Sequence, residues 1–217
     1  MDEERVSPRE WTTADSALWH TLVILADRRA RRMPKQRAKV DFPLAEGEIA
    51  LATGPFEMDV LLGDDGAPVE DPKLVFGART LGGDDVPGAE PGTAADADRR
   101  DLPDAAWHHD FSGELTVTSH GFYLQTEEGR FRWLWQDVSQ AEVSAFTALM
   151  LQGQSESGTI TWRLRSSWAE LVFVLWVMAT NPGHPQLATG SWLPDHWVEW
   201  AAAMGYPLPE EAAALVE

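Results

Sequence analysis

Arg28, Arg29, Arg31, Arg32, Lys35, Arg37 and Lys39 set seven cations within twelve residues, with no acid among them, in a chain whose net charge is −18. The chemistry open to such a cluster is electrostatic. It suits anionic lipid headgroups, nucleic-acid phosphates or an acidic partner protein, each contact weakening with salt. It equally suits pairing with the chain's own carboxylates, including those of the acidic stretch 82–105. No aromatic residue stands between Arg28 and Lys39, so bases have no stacking platform there. The overall negative charge also disfavours generic nucleic-acid binding, and nucleic acid is not an expected partner.

His108, His109 and Asp110 are potential metal ligands by type. Neighbours on a strand point to opposite faces, however, and His120 and His184 stand at no ligand spacing from them. No metal is expected. The 35 acidic residues guarantee chance carboxylate pairs, so none is assigned to acid–base work, which needs a group held in a pocket with a shifted pKa. No Gly-x-Ser-x-Gly elbow occurs. Gly82-Gly83 is followed by acids that would repel a phosphate. The chain has no cysteine, which removes disulfides, thiolate zinc sites and thiol nucleophiles. The expectation is a protein that is not an enzyme and carries no cofactor.

Trp192, Trp197 and Trp200 have two readings. They form a partner-binding patch, since Trp is enriched in interface hot spots, or they cover an apolar helix from within.

These residues need elements to position them. Residues 1–12 read as a disordered arm. Thr13 is the expected N-cap of a helix reaching Met33, with Leu18, Trp19, Leu22, Val23 and Ala26 as its apolar stripe and Pro34 as its stop. The helix and basic segment occupy 13–40. Short strands follow at 48–52 and 57–62, parted by Gly54-Pro55, and Leu74-Val75-Phe76 reads as another. The stretch 82–105, rich in Gly, Pro, Ala and Asp, reads as a flexible acidic insertion. Over 111–166, Leu115 and Val117, then Phe122 and Leu124, then Phe131, Trp133 and Trp135, then Ile160, Trp162 and Leu164 alternate with mostly polar neighbours. That is an antiparallel meander with one wet face. Ser166 or Ser167 then caps a helix to about Thr180. It is apolar nearly all round and so needs cover on both faces. A helical tail over 181–217 is its expected cover, with Pro194 in a first helical turn and Gly205 as a stop.

The meander followed by one helix resembles the pleckstrin-homology-like (PH-like) superfold, in particular GRAM and bacterial PH-like domains. The matching segments are Gly47-Glu48-Ile49-Ala50-Leu51, the glycine-led hairpin Gly113 to Thr126, the aromatic strand Arg132 to Val138, and the strand Ile160 to Ser166 with the helix after it. The resemblance implies an α+β, mainly antiparallel PH-like barrel or sandwich over 41–180, capped by a C-terminal helix. The N-terminal helix and the Trp-rich tail are additions to it. The superfold serves lipid binders, peptide binders and scaffolds alike. The expected function is therefore a non-catalytic binding or scaffold protein that engages a protein partner. One alternative is peripheral binding to anionic lipid through 28–39; another is an enzyme with an unrecognised carboxylate or His site. The longest apolar run, Leu171 to Ala179, has nine residues where a spanning helix needs about 20. With the acidic, polar N-terminus, this makes a cytoplasmic protein without a transmembrane segment the expectation.

Overall fold

The computed structural model describes residues 9–34, 38–63, 66–68, 105–155 and 158–213. The reading of Leu74-Val75-Phe76 as a strand, and nearly all of the acidic stretch 82–105, lie outside these residues.

Helix α1 runs over Thr13–Arg29 and starts one residue earlier than the pattern suggests, because Thr12 is the N-cap. The Thr12 side chain accepts from the Asp15 N–H while the Asp15 carboxylate accepts from the Thr12 N–H. This reciprocal capping box satisfies two of the open donors at a helix start. The helix also ends before Met33. Arg31 adopts a left-handed φ of 54°, and the residues just ahead of Pro34 are steered away from helical geometry.

Among the described residues seven strands follow: β1 Ala50–Gly63, β2 Ala105–Thr118, β3 Gly121–Gln125, β4 Arg130–Leu134, β5 Val138–Ala145, β6 Ala148–Ser155 and β7 Gly158–Arg165. A single 3-10 turn, Trp135–Asp137, joins β4 to β5. The helices α2 Ala169–Thr180, α3 Pro185–Thr189, α4 Trp197–Ala203 and α5 Glu210–Ala213 complete the described chain. The protein is thus α+β, with one antiparallel sheet in the order β4-β3-β2-β1-β7-β6-β5.

Strand β1 holds the sheet together and corrects the sequence reading of two short strands. It passes unbroken through Gly54-Pro55. Proline lacks the N–H a central strand needs, but β7 pairs only with Glu57–Val60, so at Pro55 one side of β1 has no strand on it among the described residues. Gly54 makes room for Trp168, whose indole Cδ1 and Nε1 each lie 3.0 Å from where a Cβ would stand; the Trp168 Nε1–H donates to the Thr53 carbonyl at 2.9 Å.

The sheet folds over on itself. Strands β4 and β7 are four places apart in it, about 19 Å if it were flat. Yet Trp133 of β4 meets Trp162 of β7 edge to face with centroids 5.1 Å apart, and the Trp133 ring fills the space a side chain at Gly153 of β6 would take. The inner faces therefore enclose one core, lined by Phe56, Met58, Leu115, Val117, Phe122, Leu124, Leu149, Leu151 and Leu164. Helix α2 belongs to the same core, and every residue from Ala169 to Val177 is buried. Its second face is covered by α1, through the cluster containing Leu18, Leu22 and Leu25, as well as by Trp192 and Trp197 of the tail. Residues Arg9–Thr12, read as part of a disordered arm, pack instead on that tail. Trp11 stacks on Tyr206 at 4.0 Å and on Trp200 at 5.4 Å.

Candidate functional site

An exposed sheet edge carries unpaired main-chain donors and acceptors, and folded proteins usually cover it or blunt it. The two edges here are treated differently. Along β5, Gln186 of α3 acts as a substitute strand: its Oε1 accepts from the Val143 N–H and its Nε2 donates to the Val143 carbonyl, both at 2.9 Å. The His184 ring bonds to the main chain of Ala141, two residues away on the same side. Burial against Phe173 and Trp176 lowers the pKa of His184, outweighing that bond, which acts to raise it.

Along β4 nothing comparable is present among the described residues. The hairpin register places Phe131 opposite Leu124 and Trp133 opposite Phe122. The bonds Thr126 N–H to Gly129 carbonyl and Trp135 N–H to His120 carbonyl lie at either end of the same alternation. In an antiparallel pair the bonded positions alternate, so Phe131 and Trp133 bond to β3 while Arg130 and Arg132 turn their N–H and C=O groups outward. The next outward N–H, that of Leu134, is closed by the Asp137 carboxylate at 2.8 Å. The groups of Arg130 and Arg132 have no main-chain partner among the described residues.

The side chains of this edge separate by face. Inward lies Phe131, 44% exposed at the rim of an aromatic row that runs through Phe111 to the buried Phe56. On the outer face the Arg130 guanidinium stacks on Phe42 at 3.7 Å and bonds to the neutral Gln125. Arg132 reaches Glu48 at 3.3 Å. Glu48 anchors this whole face. Its Oε1 accepts from the Thr118 hydroxyl at 2.6 Å, and its Oε2 accepts from the Tyr123 hydroxyl at 2.9 Å and the Ala45 N–H at 3.0 Å. Burial pushes the Glu48 pKa up, but these donors and the Arg132 charge outweigh it and hold the carboxyl below its ordinary range. The segment carrying Phe42 is thereby fastened across β2, β3 and β4.

The residues singled out in the sequence lie elsewhere. Arg28 is half-buried in the last turn of α1; Arg29, Arg31 and Lys39 are exposed; Lys35 and Arg37 fall outside the described residues. Arg32 pairs with Asp27 at 2.9 Å and Glu211 at 3.2 Å, so for Arg32 the self-pairing reading describes the structure. Trp192 and Trp197 are 3% and 2% exposed and offer no surface to a partner. The Trp197 indole N–H donates to Asp15 at 2.9 Å, and Trp200 is half-buried under Arg9. His108 and His109 are exposed on β2, and the His109 ring lies 3.7 Å from Asp59. Among the described residues no three His, Asp or Glu side chains form a group able to hold a metal, and no helix is long and apolar enough to cross a membrane.

The β4 edge escaped the sequence reading because alternation marks strands without saying which one is left at an edge. A signal existed in Arg130-Phe131-Arg132, a short strand flanked by cations, which is a common edge composition. No protein-family profile, curated protein or solved structure matches the chain.

Proposed function

We propose that this chain is a non-catalytic binding or scaffold protein whose PH-like domain engages a protein partner at the β4 edge. Support for the PH-like assignment comes from two antiparallel meanders, β1–β4 and β5–β7, joined by the pairing of β1 with β7, folded into a sandwich and followed at once by a helix set against the core. The observation that carries the function is the asymmetry of the sheet. Its β5 edge is sealed by Gln186 and His184, whereas no described residue bonds to the outward groups of Arg130 and Arg132 beside the exposed Phe131. Main-chain bonding to such an edge is a recurrent way of binding a peptide segment.

A second reading, attachment to anionic lipid, is favoured by Met33. It is 60% exposed and directly follows Arg31 and Arg32 in the sequence, the pairing of an apolar residue with cations that suits a membrane surface. One experiment separates the two: photocrosslinking in the cells that make the protein, with benzoylphenylalanine at position 131, at position 33, or at the exposed position 183 as a control. A discrete protein adduct from 131 alone, lost in Arg130→Glu, is the expected result. Lipid adducts from position 33 without a protein adduct from 131 support the membrane reading instead. Adducts from neither position refute both.

A further inference from the structure

The chemistry of the β4 edge also specifies its partner. Resting on the protein-docking reading above, we infer that the occupant is an extended segment that adds as a further strand, with an acidic residue facing Arg130 and an apolar residue facing Phe131. Three observations lead there. First, the outward main-chain groups of Arg130 and Arg132 lie two residues apart, the repeat at which an added strand bonds. Second, the two faces of the edge differ. Phe131 extends a row of rings outward from the core, so a side chain directly opposite it on the added strand gains apolar contact. Third, the charges are unequal. Arg132 is balanced by the buried Glu48, while among the described residues Arg130 has only an aromatic ring and a neutral amide as partners. Opposite charges across a strand pair attract and like charges repel, so Arg130 selects an acid.

A second copy of this chain is the natural rival occupant. Pairing β4 with itself would bring Arg130 and Arg132 of one copy against the same cations of the other, which is unfavourable. Nor does the molecule attract an acid from afar, since its net charge is −18. Selection operates at contact, within the screening length of about 8 Å at physiological salt.

The test uses three blocked heptapeptides with valine at alternate positions and Glu, Gln or Lys between them, titrated into the full chain while backbone amide signals are followed. The Glu peptide is expected to shift the Arg130 and Arg132 amides and slow their exchange, binding about fivefold more tightly than the Lys peptide. In Arg130→Glu the order of the two peptides should reverse. This variant alters an exposed side chain, and an unchanged amide spectrum elsewhere shows that it folds; Arg130→Gln, which should abolish the preference, serves if it does not. Equal or tighter binding of the Lys peptide at these amides overturns the acidic partner while leaving the docking edge standing. Absence of binding by all three overturns the inference, and the crosslink from position 131 then decides separately whether the edge is used. Protection of Arg130 and Arg132 that rises with protein concentration alone identifies a second copy and also overturns it.

Discussion

Glu48→Ala should lower the melting temperature by about 10 °C, corresponding to about 3 kcal/mol in a chain of this size. The carboxylate is the common acceptor for the Thr118 hydroxyl, the Tyr123 hydroxyl, the Ala45 N–H and Arg132. Without it the Tyr123 hydroxyl loses its acceptor in a side chain that is 7% exposed. Thr118 keeps a bond to the Gly121 carbonyl at 3.1 Å, and the half-exposed Arg132 regains water, which limits the loss. Glu48→Gln should cost less, since an amide oxygen still accepts from Thr118. Because the folded pKa of Glu48 is depressed, its contribution is present above the unfolded carboxylate range and is lost as pH falls through the folded value. The difference between wild type and Glu48→Gln should accordingly narrow on acidification. Thermal melts across an acid pH series measure this; a Glu48→Ala protein melting with wild type would show that the network holds nothing together.

The second large effect has the opposite sign and a different pH window. Glu170 sits in the first turn of α2 at 1% exposure. Its Oε1 accepts from the Thr147 N–H at 2.7 Å, and its Oε2 is buried with no partner among the described residues. That contact pins the β5–β6 turn, where Thr147 takes a left-handed φ of 65° that a β-branched residue rarely adopts. Burial, against which the N–H bonds are weaker, raises the Glu170 pKa from its ordinary 4.5 to about 7. The protonated form is therefore the one that folding favours. Its stabilisation is complete below the unfolded pKa and is lost as pH rises through the folded one. The span corresponds to about 3 kcal/mol. Glu170→Gln keeps an acceptor for Thr147 without the charge, so it should gain stability over wild type progressively between about pH 5 and pH 8. His20 and His184, whose pKa values burial lowers, slope the other way in part of this range. The comparison with Glu170→Gln cancels them. A constant difference between the two proteins across that range would mean that Glu170 ionises freely in the fold.

Much of the architecture is legible in the sequence because its pattern is strictly local. The alternations at Leu115 and Val117, Phe122 and Leu124, and Trp162 and Leu164 place those side chains in the core. The all-round apolarity of 171–177 calls for cover on two faces, and α1 supplies part of it. What is not legible depends on long-range geometry. Strand β5 gives no clean period, because register shifts between Val138 and Gln140 and between Val143 and Ala145 break the alternation. Pro55 reads as a strand break, and only the absence of β7 beside it shows why β1 continues. The Trp residues of the tail are ambiguous until Asp15 is seen to accept from Trp197 across the whole length of the chain. The basic segment is prominent by composition alone, whereas the open edge at Arg130 and Arg132 follows from strand order.

Amide hydrogen exchange of the free 217-residue chain, resolved by residue, distinguishes a sheet sealed at β5 and open at β4 from one covered at both edges. The Phe131, Trp133 and Val143 amides should be protected, the first two by β3 and the third by Gln186, while Arg130 and Arg132 exchange at nearly unprotected rates. Protection of Arg130 and Arg132 equal to that of Val143, in dilute protein without a partner, would show that β4 is already covered and would contradict the account.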